Sequence, residues 1–387
     1  MKRTILLTLI GVAGFFLFVE FWLPGIVENQ LNRVVPHAAW RISQQAQTLH
    51  ASMPIADLHA DPLLWKRDWL DKSARGHTDL PRMQAGGITL QVLTAVTKSP
   101  SGQNYESNAA SSDTITYLAL AQLWPMDTWN SAFARALYQG KRLNEWDQRA
   151  GKAFRIIRNH DELRALLAAR EAGQPVVGGI FGIEGAHALD GQLENLEALD
   201  ALGLRVVGLT HFFDNRLGGS LHGLSDEGLT PFGREVIAEA ERRKMVIDVA
   251  HASPNMVRDV LALSTRPVIL SHGGFKGVCD SARNLEDDLM IELAEHGALI
   301  GVGFWDGAVC DTRPEGIAKA IRYGIDLIGL DHIALGSDYD GATAVQFDSG
   351  EIAALTQAML DEGFTANEIR KIMGENAIGF FLEQLPE

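Results

Sequence analysis

From residue 54 onward, the sequence alternates between short apolar runs rich in β-branched residues and longer stretches with helical periodicity. Several of the apolar runs are uninterrupted, which is typical of parallel strands covered on both faces. The eight predicted strands are Ala56–Asp61, Ile88–Val96, Val176–Gly185, Val206–Phe212, Met245–His251, Pro267–His272, Ala298–Phe304 and Ile333–Asp338. Eight strand–helix repeats predict a closed (β/α)8 barrel of the TIM type, an α/β fold.

Helical patterns separate these strands and follow the last of them. The predicted helices are Asp161–Ala172, Leu193–Leu202, Pro231–Arg243, Asn255–Ala262, Asp287–His296, Glu315–Ile328, Gly350–Glu362 and Ala366–Leu382, with more helix from about Asp113 to Arg149. An open doubly wound sheet is the alternative. However, no Gly-x-Gly-x-x-Gly turn follows the first strand, and ionisable residues end many strands instead of bordering one crevice.

The N-terminus predicts export from the cytoplasm. Lys2 and Arg3 precede an apolar run from Thr4 to Val19, and after Glu20 the run continues from Phe21 to Leu23. This pattern is that of a signal peptide or a signal anchor, and the run nearly reaches the length that spans a bilayer.

No small-x-small cleavage site follows the run, so we favour an uncleaved signal anchor, an N-terminal hydrophobic helix over residues 1–23. The body would then face the periplasm or the cell exterior, anchored in the inner membrane. A cleaved signal peptide and a soluble exported protein are the alternative. We expect a polar stalk over residues 24–53 and a single hydrolase domain over residues 54–387.

Composition excludes some classes of partner and of fold. The formal net charge is −15, which argues against nucleic acid because phosphate binding requires a basic face. With only two cysteines, Cys279 and Cys310, a disulfide-dense fold is excluded, although one bridge can form in an oxidising compartment. No feature selects an oligomeric state, and a homodimer is one option.

Ionisable residues end six of the predicted strands, and in a barrel the carboxyl ends of all strands meet at one rim, where active sites lie. These residues are His59, Asp61, Glu184, His211, His251, His272 and Asp338. Any one of them alone has a structural interpretation, such as a capped or salt-bridged side chain at the rim. As a set, they predict a metal site.

His59 and Asp61 lie two residues apart on a strand and therefore face the same side, as two ligands of one cation. The carboxylate of Glu184 is costly to bury at a strand end unless it is paired or metal-bound, and its two oxygens can bridge two cations. His251 and His272, at matching ends of adjacent strands, favour a second site.

We therefore expect His59, Asp61 and Glu184 to hold one divalent metal, and Glu184, His251 and His272 to hold another, with a hydroxide between the two. Mixed nitrogen and oxygen ligands suit Zn²⁺ best, with Mn²⁺, Co²⁺ or Fe²⁺ as alternatives.

Two further rim residues fit catalytic roles. Asp338 can take the proton of the attacking water and pass it to the leaving amine, and Asp340 could orient it or replace it. His211 is then free to donate a hydrogen bond to the developing oxyanion, although a structural role for this histidine fits its position equally well.

The sequence resembles the membrane dipeptidase (renal dipeptidase) family of the amidohydrolase superfamily. The motifs that carry the resemblance run in order over residues 54 to 380: Asp79-Leu80-Pro81-Arg82, Gly182-Ile183-Glu184-Gly185, Leu209-Thr210-His211, Gly228-Leu229-Thr230-Pro231-Phe232-Gly233, Ile247-Asp248-Val249-Ala250-His251-Ala252-Ser253, Ser271-His272, Arg283-Asn284 and Gly336-Ser337-Asp338-Tyr339-Asp340-Gly341.

The resemblance implies a dinuclear zinc dipeptidase with the five ligands named above and Glu184 bridging. It also implies that His211 lies beside the scissile group and that Arg283 binds the substrate's C-terminal carboxylate, for which its planar fork is suited. Trp305 stands where relatives often have a tyrosine. Because Cys279 and Cys310 follow neighbouring strands of the predicted barrel, we hypothesise a disulfide between them.

The sequence thus predicts hydrolysis of dipeptides that have a free C-terminal carboxylate. One alternative is an amidohydrolase acting on other small amides, lactones or cyclic imides. The other, of a different class, is a non-catalytic exported binding protein that keeps the barrel. Retention of all five ligands and the proton shuttle argues against the latter.

Overall fold

The computed structural model describes residues 22–387. Eight parallel strands form a closed barrel, in which each strand pairs with the next and the last pairs with the first. They are β1 (Ile55–Ala60), β2 (Ile88–Val96), β3 (Val177–Glu184), β4 (Leu204–Gly208), β5 (Val246–Asp248), β6 (Ile269–Gly273), β7 (Leu299–Val302) and β8 (Ile333–Leu335). The predicted (β/α)8 barrel is confirmed.

Four of the strands leave the sheet two to four residues before their predicted ends. His211, His251 and Asp338 lie beyond the last paired residues of β4, β5 and β8. His251 and Asp338 have φ values of 65° and 59°, a left-handed conformation that no strand residue adopts. The chain therefore turns away from the sheet at the point where it presents these side chains.

Helices cover the outside of the barrel, close to where the sequence predicts them. They are His160–Glu171, Asn195–Ala201, Pro231–Arg242, Pro254–Leu263, Asp287–Glu295, Asp306–Val309, Pro314–Ile328, Ala353–Asp361, Ala366–Arg370 and Asn376–Gln384, with a π-helical turn at Lys371–Glu375. Side-chain caps begin several of them, as where Ser253 accepts a hydrogen bond from the amide of Met256.

The long insertion between β2 and β3 lies over the C-terminal end of the barrel. It contains the helices Ile115–Ala121 and Ala132–Arg149, a 3-10 turn at Met126–Trp129 and a short strand, Phe154–Ile156, which pairs with β3. Arg135 fastens the insertion, because its buried guanidinium donates to the backbone carbonyls of Thr97 and Thr128.

Part of the segment expected to form a stalk, residues 24–53, lies against the barrel. In the helix Leu23–Leu31, the buried carboxylate of Glu28 is 2.6 Å from Nε of Arg67 and 3.0 Å from Nε of Arg75. The strand Arg33–Val34 then pairs with Ala344–Val345. Because Glu28 forms buried ion pairs with residues of the barrel domain, this helix packs against that domain and does not form a separate stalk.

Cys279 and Cys310 form the disulfide that the sequence led us to hypothesise. Among residues 22–387, no helix has both the length and the apolar character needed to cross a membrane. The apolar run from Thr4 to Val19, on which the prediction of an anchor rests, lies outside the described residues.

Candidate metal centre and active site

All the side chains that the sequence assigned to the site are buried at the C-terminal end of the barrel. Each comes from the end of a barrel strand or the loop that follows it, because parallel strands deliver their carboxyl ends to one rim. The assembled residues are His59, Asp61, Glu184, His211, His251, His272, Arg283 and Asp338.

The carboxylate of Glu184 is at the centre of the cluster. Its Oε1 lies 3.6 Å from Nε2 of His59, 3.1 Å from Nε2 of His251 and 3.4 Å from Nε2 of His272. Asp61 completes one side, with Oδ2 at 3.3 Å from Nε2 of His59. The other four predicted ligands therefore converge on the carboxylate of Glu184.

Three imidazole nitrogens and two carboxylates pointing at one another form a donor set suited to borderline divalent cations. Nε2 of His251 and Nε2 of His272 are only 2.9 Å apart. Within residues 22–387, three groups of side chains are close enough to share an ion: the first is His59, Asp61 and Glu184, the second is Glu184, His211 and His251, and the third is His59, Asp248 and His272. The second group shows that His211 also lies within reach of a cation.

The charge balance of the cluster also calls for cations. Burial, together with the nearby carboxylate of Asp61, raises the pKa of Glu184 well above its usual range. Burial would lower the pKa of His59, but the carboxylates of Asp61 and Glu184 raise it to about 10. A proton on His59 thus compensates carboxylate charge, a role that a divalent cation would fill more completely.

His251 and His272 are held in the form that ligates metals. Burial, reinforced by the positive charge of Arg283, lowers the pKa of both rings well below the usual range, so both are neutral. The hydroxyl of Ser271 lies 2.8 Å from Nδ1 of His272 and 3.3 Å from Nδ1 of His59. With Nδ1 of His272 and Nδ1 of His59 bound in this way, Nε2 of both rings faces the centre, whereas Nδ1 of His251 has no hydrogen-bond partner.

His211 faces the same centre with Nε2 at 3.4 Å from Oε2 of Glu184. Its Nδ1 lies 3.2 Å from the backbone carbonyl of Lys98, so the neutral ring carries its proton on Nδ1 and donates it there. Burial lowers the pKa of His211 to about 4. In this form Nε2 is an acceptor, and it becomes a donor only when the ring takes up a second proton.

Asp338 has its Oδ1 3.9 Å from Nε2 of His59. The preceding residue, Ser337, is fixed by Asp57 of β1, which accepts a hydrogen bond of 2.8 Å from its amide. Asp340, the alternative considered from sequence, is not at the site: its carboxylate pairs with Arg67 and accepts the amide hydrogen of His77. Of the two aspartates considered from sequence, Asp338 is therefore the one that lies at the site.

Arg283 is fully buried beside the centre, with its guanidinium stacked 5.4 Å from the ring centroid of Trp305. Nη2 donates to the backbone carbonyl of His272 over 2.7 Å, while Nε has no hydrogen-bond partner. Burying a guanidinium N–H without a hydrogen-bond partner costs free energy, and a substrate carboxylate would supply the missing acceptor.

Several residues around the site were not singled out from the sequence. The hydroxyl of Thr94 donates its hydrogen to Asp61 and also lies 3.0 Å from the carbonyl oxygen of Ala60. Asp248 accepts the amide hydrogens of Ala250 and Ser271, both at 3.0 Å. Asp248 also ends a strand, a signal that could have identified it. Thr94 offers no such signal, since its role depends on cross-strand register.

Tyr105, from the insertion, is another residue that the sequence did not indicate. Its hydroxyl accepts a hydrogen bond of 2.9 Å from Nε1 of Trp305, and burial raises its pKa to about 12. A tyrosine hydroxyl from the insertion thus lies next to Trp305 in the lining of the pocket.

Six of the eight assembled side chains, all but His59 and His272, line one pocket of about 220 Å³. Asp61, Glu184, His251, Arg283 and Asp338 form its inner end, and the outer wall is largely apolar. A closed barrel with buried histidines and carboxylates around such a pocket defines a metal-dependent hydrolase.

Comparison with known proteins narrows this class. The family model for membrane dipeptidase (peptidase family M19) matches residues 43–383. An uncharacterized dipeptidase of Schizosaccharomyces pombe is 26% identical over 360 residues, which cover 88% of this chain and 83% of that protein.

Two solved structures of metallopeptidases are similar to this chain over most of its length. Dipeptidase AC, a metallopeptidase of family M19, has a TM-score of 0.71 and 28% identity over 86% of this chain and 99% of its own. A metallopeptidase of Rhodobacter sphaeroides, liganded with a phosphinate mimic of the dipeptide L-Ala-D-Ala, has a TM-score of 0.69 and 27% identity with the same coverage. The chain belongs to the membrane dipeptidase family and is a metal-dependent dipeptidase.

Proposed function

We propose that the protein hydrolyses dipeptides with a free C-terminal carboxylate and holds two divalent cations, Zn²⁺ by preference. His59, Asp61 and Glu184 would hold the first, and Glu184, His251 and His272 the second. The observation that carries the proposal is the convergence of three imidazole nitrogens on Oε1 of Glu184, with Asp61 alongside. Bound together, the cations would activate water and polarise the scissile carbonyl.

Arg283 sets the substrate class in this proposal. Its unpartnered Nε and its position at the inner end of the pocket suit the carboxylate that ends a dipeptide. The stacked ring of Trp305 and the bond to the carbonyl of His272 keep the guanidinium in place. Arg283 would thereby hold the substrate's carboxylate at a fixed position relative to the reacting carbonyl. Such orientation lowers the activation free energy of hydrolysis.

Proton movements fall to the remaining two residues. Asp338, whose pKa is raised by burial and by the neighbouring Asp61, is suited to receive a proton from water and to give it to the leaving amine. His211 would lie beside the developing oxyanion, and its Nε2 would donate a hydrogen bond there only in the doubly protonated ring, which its pKa of about 4 makes a minor form at neutral pH. These roles depend on the position of each group within one pocket.

The test is a panel of L,L- and L,D-dipeptides, each assayed beside its C-terminal amide, with and without chelator. Arg283→Ala should lower kcat/KM for dipeptides by about 30-fold or more, because it removes a charged hydrogen bond to the carboxylate. The dipeptide amides, which lack that charge, are the matched control and should lose little. Unchanged dipeptide turnover in Arg283→Ala, or a preference of the unmodified protein for lactones or cyclic imides, would favour the other amidohydrolase substrates.

We further propose that the protein is exported and held in the membrane by an uncleaved anchor over residues 1–23. Lys2 and Arg3 ahead of the apolar run support this, and the disulfide between Cys279 and Cys310 suits an oxidising compartment. Carbonate extraction of membranes should leave the full-length chain in the pellet. A shortened chain in the supernatant would show cleavage instead.

A further inference from the structure

Exposed apolar side chains are concentrated at one place on the surface. Of the ten large apolar side chains that are well exposed within residues 22–387, seven lie in two short segments, 22–31 and 117–126. We call these seven the apolar collar: Trp22, Ile26, Leu31, Tyr117, Leu120, Leu123 and Met126. Single exposed apolar residues are ordinary, but a concentration of this kind marks an interaction surface.

The two segments contact each other and flank the mouth of the active-site pocket. The helix Leu23–Leu31 lies against the helix Ile115–Ala121. Val27 and Leu118 pack on one small apolar cluster, and both line the outer wall of the pocket. The apolar collar therefore surrounds the outer end of the pocket whose inner end holds Glu184 and Arg283.

The collar is a fixed part of the folded protein. Its first segment is fastened by the buried carboxylate of Glu28 between Arg67 and Arg75. Arg135 holds the second segment from below, since its Nη2 donates to the hydroxyl of Thr116 over 2.8 Å. The exposed apolar surface is thus presented in one place by two anchored helices.

The sequence before the collar indicates what covers it. The apolar run from Thr4 to Val19 ends three residues before Trp22, so a bilayer that holds this run must lie next to the first collar segment. Trp22 is 66% exposed and Tyr117 is 70% exposed. Tryptophan and tyrosine are the residues enriched where proteins meet the boundary between lipid and water.

The charges near the collar indicate whether it would bind lipid electrostatically or by apolar insertion. Segment 117–126 contains no ionisable acidic or basic side chain except Tyr117, and the only one in segment 22–31 is the buried Glu28. With a net charge of −15, the chain has no electrostatic attraction to anionic lipid headgroups. The collar is therefore suited to shallow apolar insertion into a neutral lipid surface.

We propose that the apolar collar lies in the lipid–water interface of the membrane that holds the N-terminal run, so that the active-site pocket opens at the bilayer surface. The inference rests on the proposed N-terminal anchor. Dipeptides with large apolar side chains, which partition into that interface, would meet the pocket mouth there at raised local concentration.

Site-directed spin labelling of the full-length chain in phosphatidylcholine vesicles tests this proposal. Among residues 22–387 no free cysteine is present, so a single introduced cysteine can be labelled. Labels at Leu123→Cys and Met126→Cys, 60% and 75% exposed in the structure, report on the collar. Leu263→Cys is the matched control, because the helix Pro254–Leu263 starts beyond the end of β5 and runs back to the opposite end of the barrel.

We expect the ratio of collision rates with lipid-soluble oxygen and with an aqueous nickel chelate to be severalfold higher at both collar positions than at Leu263→Cys. Equal ratios at all three positions would overturn the proposal. Low access to both reagents at the collar would also overturn it, since that result indicates a protein partner or a second copy.

Two controls separate this outcome from the other proposals. Failure of the full-length chain to float with vesicles would overturn the anchor and the collar together, whereas flotation with water-exposed labels would overturn the collar alone. Hydrolysis of a soluble dipeptide, measured on the same samples, tests the proposed enzymatic function separately and should be unchanged in the labelled variants.

Discussion

Single side chains in the site are oriented by neighbours that never reach the substrate. Ser271 fixes the rings of His59 and His272, and Thr94 fixes the carboxylate of Asp61. Such supporting contacts decide which atom of a ligand faces the metal. The left-handed backbone conformation at His251 and Asp338 also fixes the direction of these two side chains. Backbone strain of this kind is typically retained at functional sites.

Asp338 gives a prediction at this scale. Asp338→Asn keeps the shape of the side chain but removes its ability to accept a proton, so kcat should fall by about 100-fold or more while metal content and KM change little. Asp340→Asn is the matched control, since Asp340 is paired with Arg67 away from the site. Asp340→Asn should lower the melting temperature, because it weakens the pair with Arg67, and should leave kcat nearly unchanged. Wild-type kcat in Asp338→Asn would exclude the proposed proton transfer.

At the level of the elements, the alternation of apolar runs and helical patterns was sufficient to predict the eight barrel strands and most outer helices. The pattern was sufficient because each strand is buried on both faces and each helix on one. Strands therefore appear as continuous apolar runs, and helices as apolar residues at helical spacing. Strand ends were predicted less well, as at β8, which ends at Leu335 although the predicted strand runs to Asp338.

Contacts between elements could not be predicted from the sequence. Glu28 lies in a segment that reads as a polar stalk, and only the fold brings Arg67 and Arg75 to it. Asp57 and Thr94 escaped notice for the same reason, because their partners are defined by the pairing of strands far apart in the chain. The five predicted ligands could be proposed from the sequence because strand ends alone define where these side chains meet.

Glu28 supplies the prediction for the elements. Glu28→Ala leaves Nε of Arg67 buried without this partner, while Asp340 still pairs with its Nη2, and an unsatisfied buried donor costs about 1–3 kcal/mol. We expect the free energy of unfolding in detergent to fall by about that amount. Gln30→Ala, at an exposed position of the same helix, should change it little. Equal stabilities of the two variants would show that the helix Leu23–Leu31 is not held by this pair.

The whole molecule should lose stability in mild acid, partly because it buries neutral histidines. His77 accepts a hydrogen bond at Nδ1 from the amide of Asp340, and burial together with the charge of Arg67 lowers its pKa to about 3. The unfolded chain takes up a proton near pH 6.5 and the folded chain does not. The contribution of His77 is therefore present above pH 6.5 and is lost as the pH falls toward 3.

Between pH 7 and pH 5 this single group should remove about 2 kcal/mol from the free energy of unfolding. His77→Gln should show a correspondingly smaller decline over that interval, measured by urea unfolding in detergent at both pH values. His160→Gln, on an outer helix, is the comparison variant. A decline in His77→Gln equal to that of the unmodified protein would mean that His77 does not contribute.

The metal content of the full-length chain after reconstitution with Zn²⁺ is the most direct test of the site, measured by mass spectrometry beside Glu184→Ala and the exposed control Glu197→Ala. Because both proposed sites share Glu184, we expect two ions per chain in the unmodified protein and in Glu197→Ala, and fewer than one in Glu184→Ala. Less than one ion in the unmodified protein, or two retained by Glu184→Ala, would contradict a dinuclear centre built on this carboxylate.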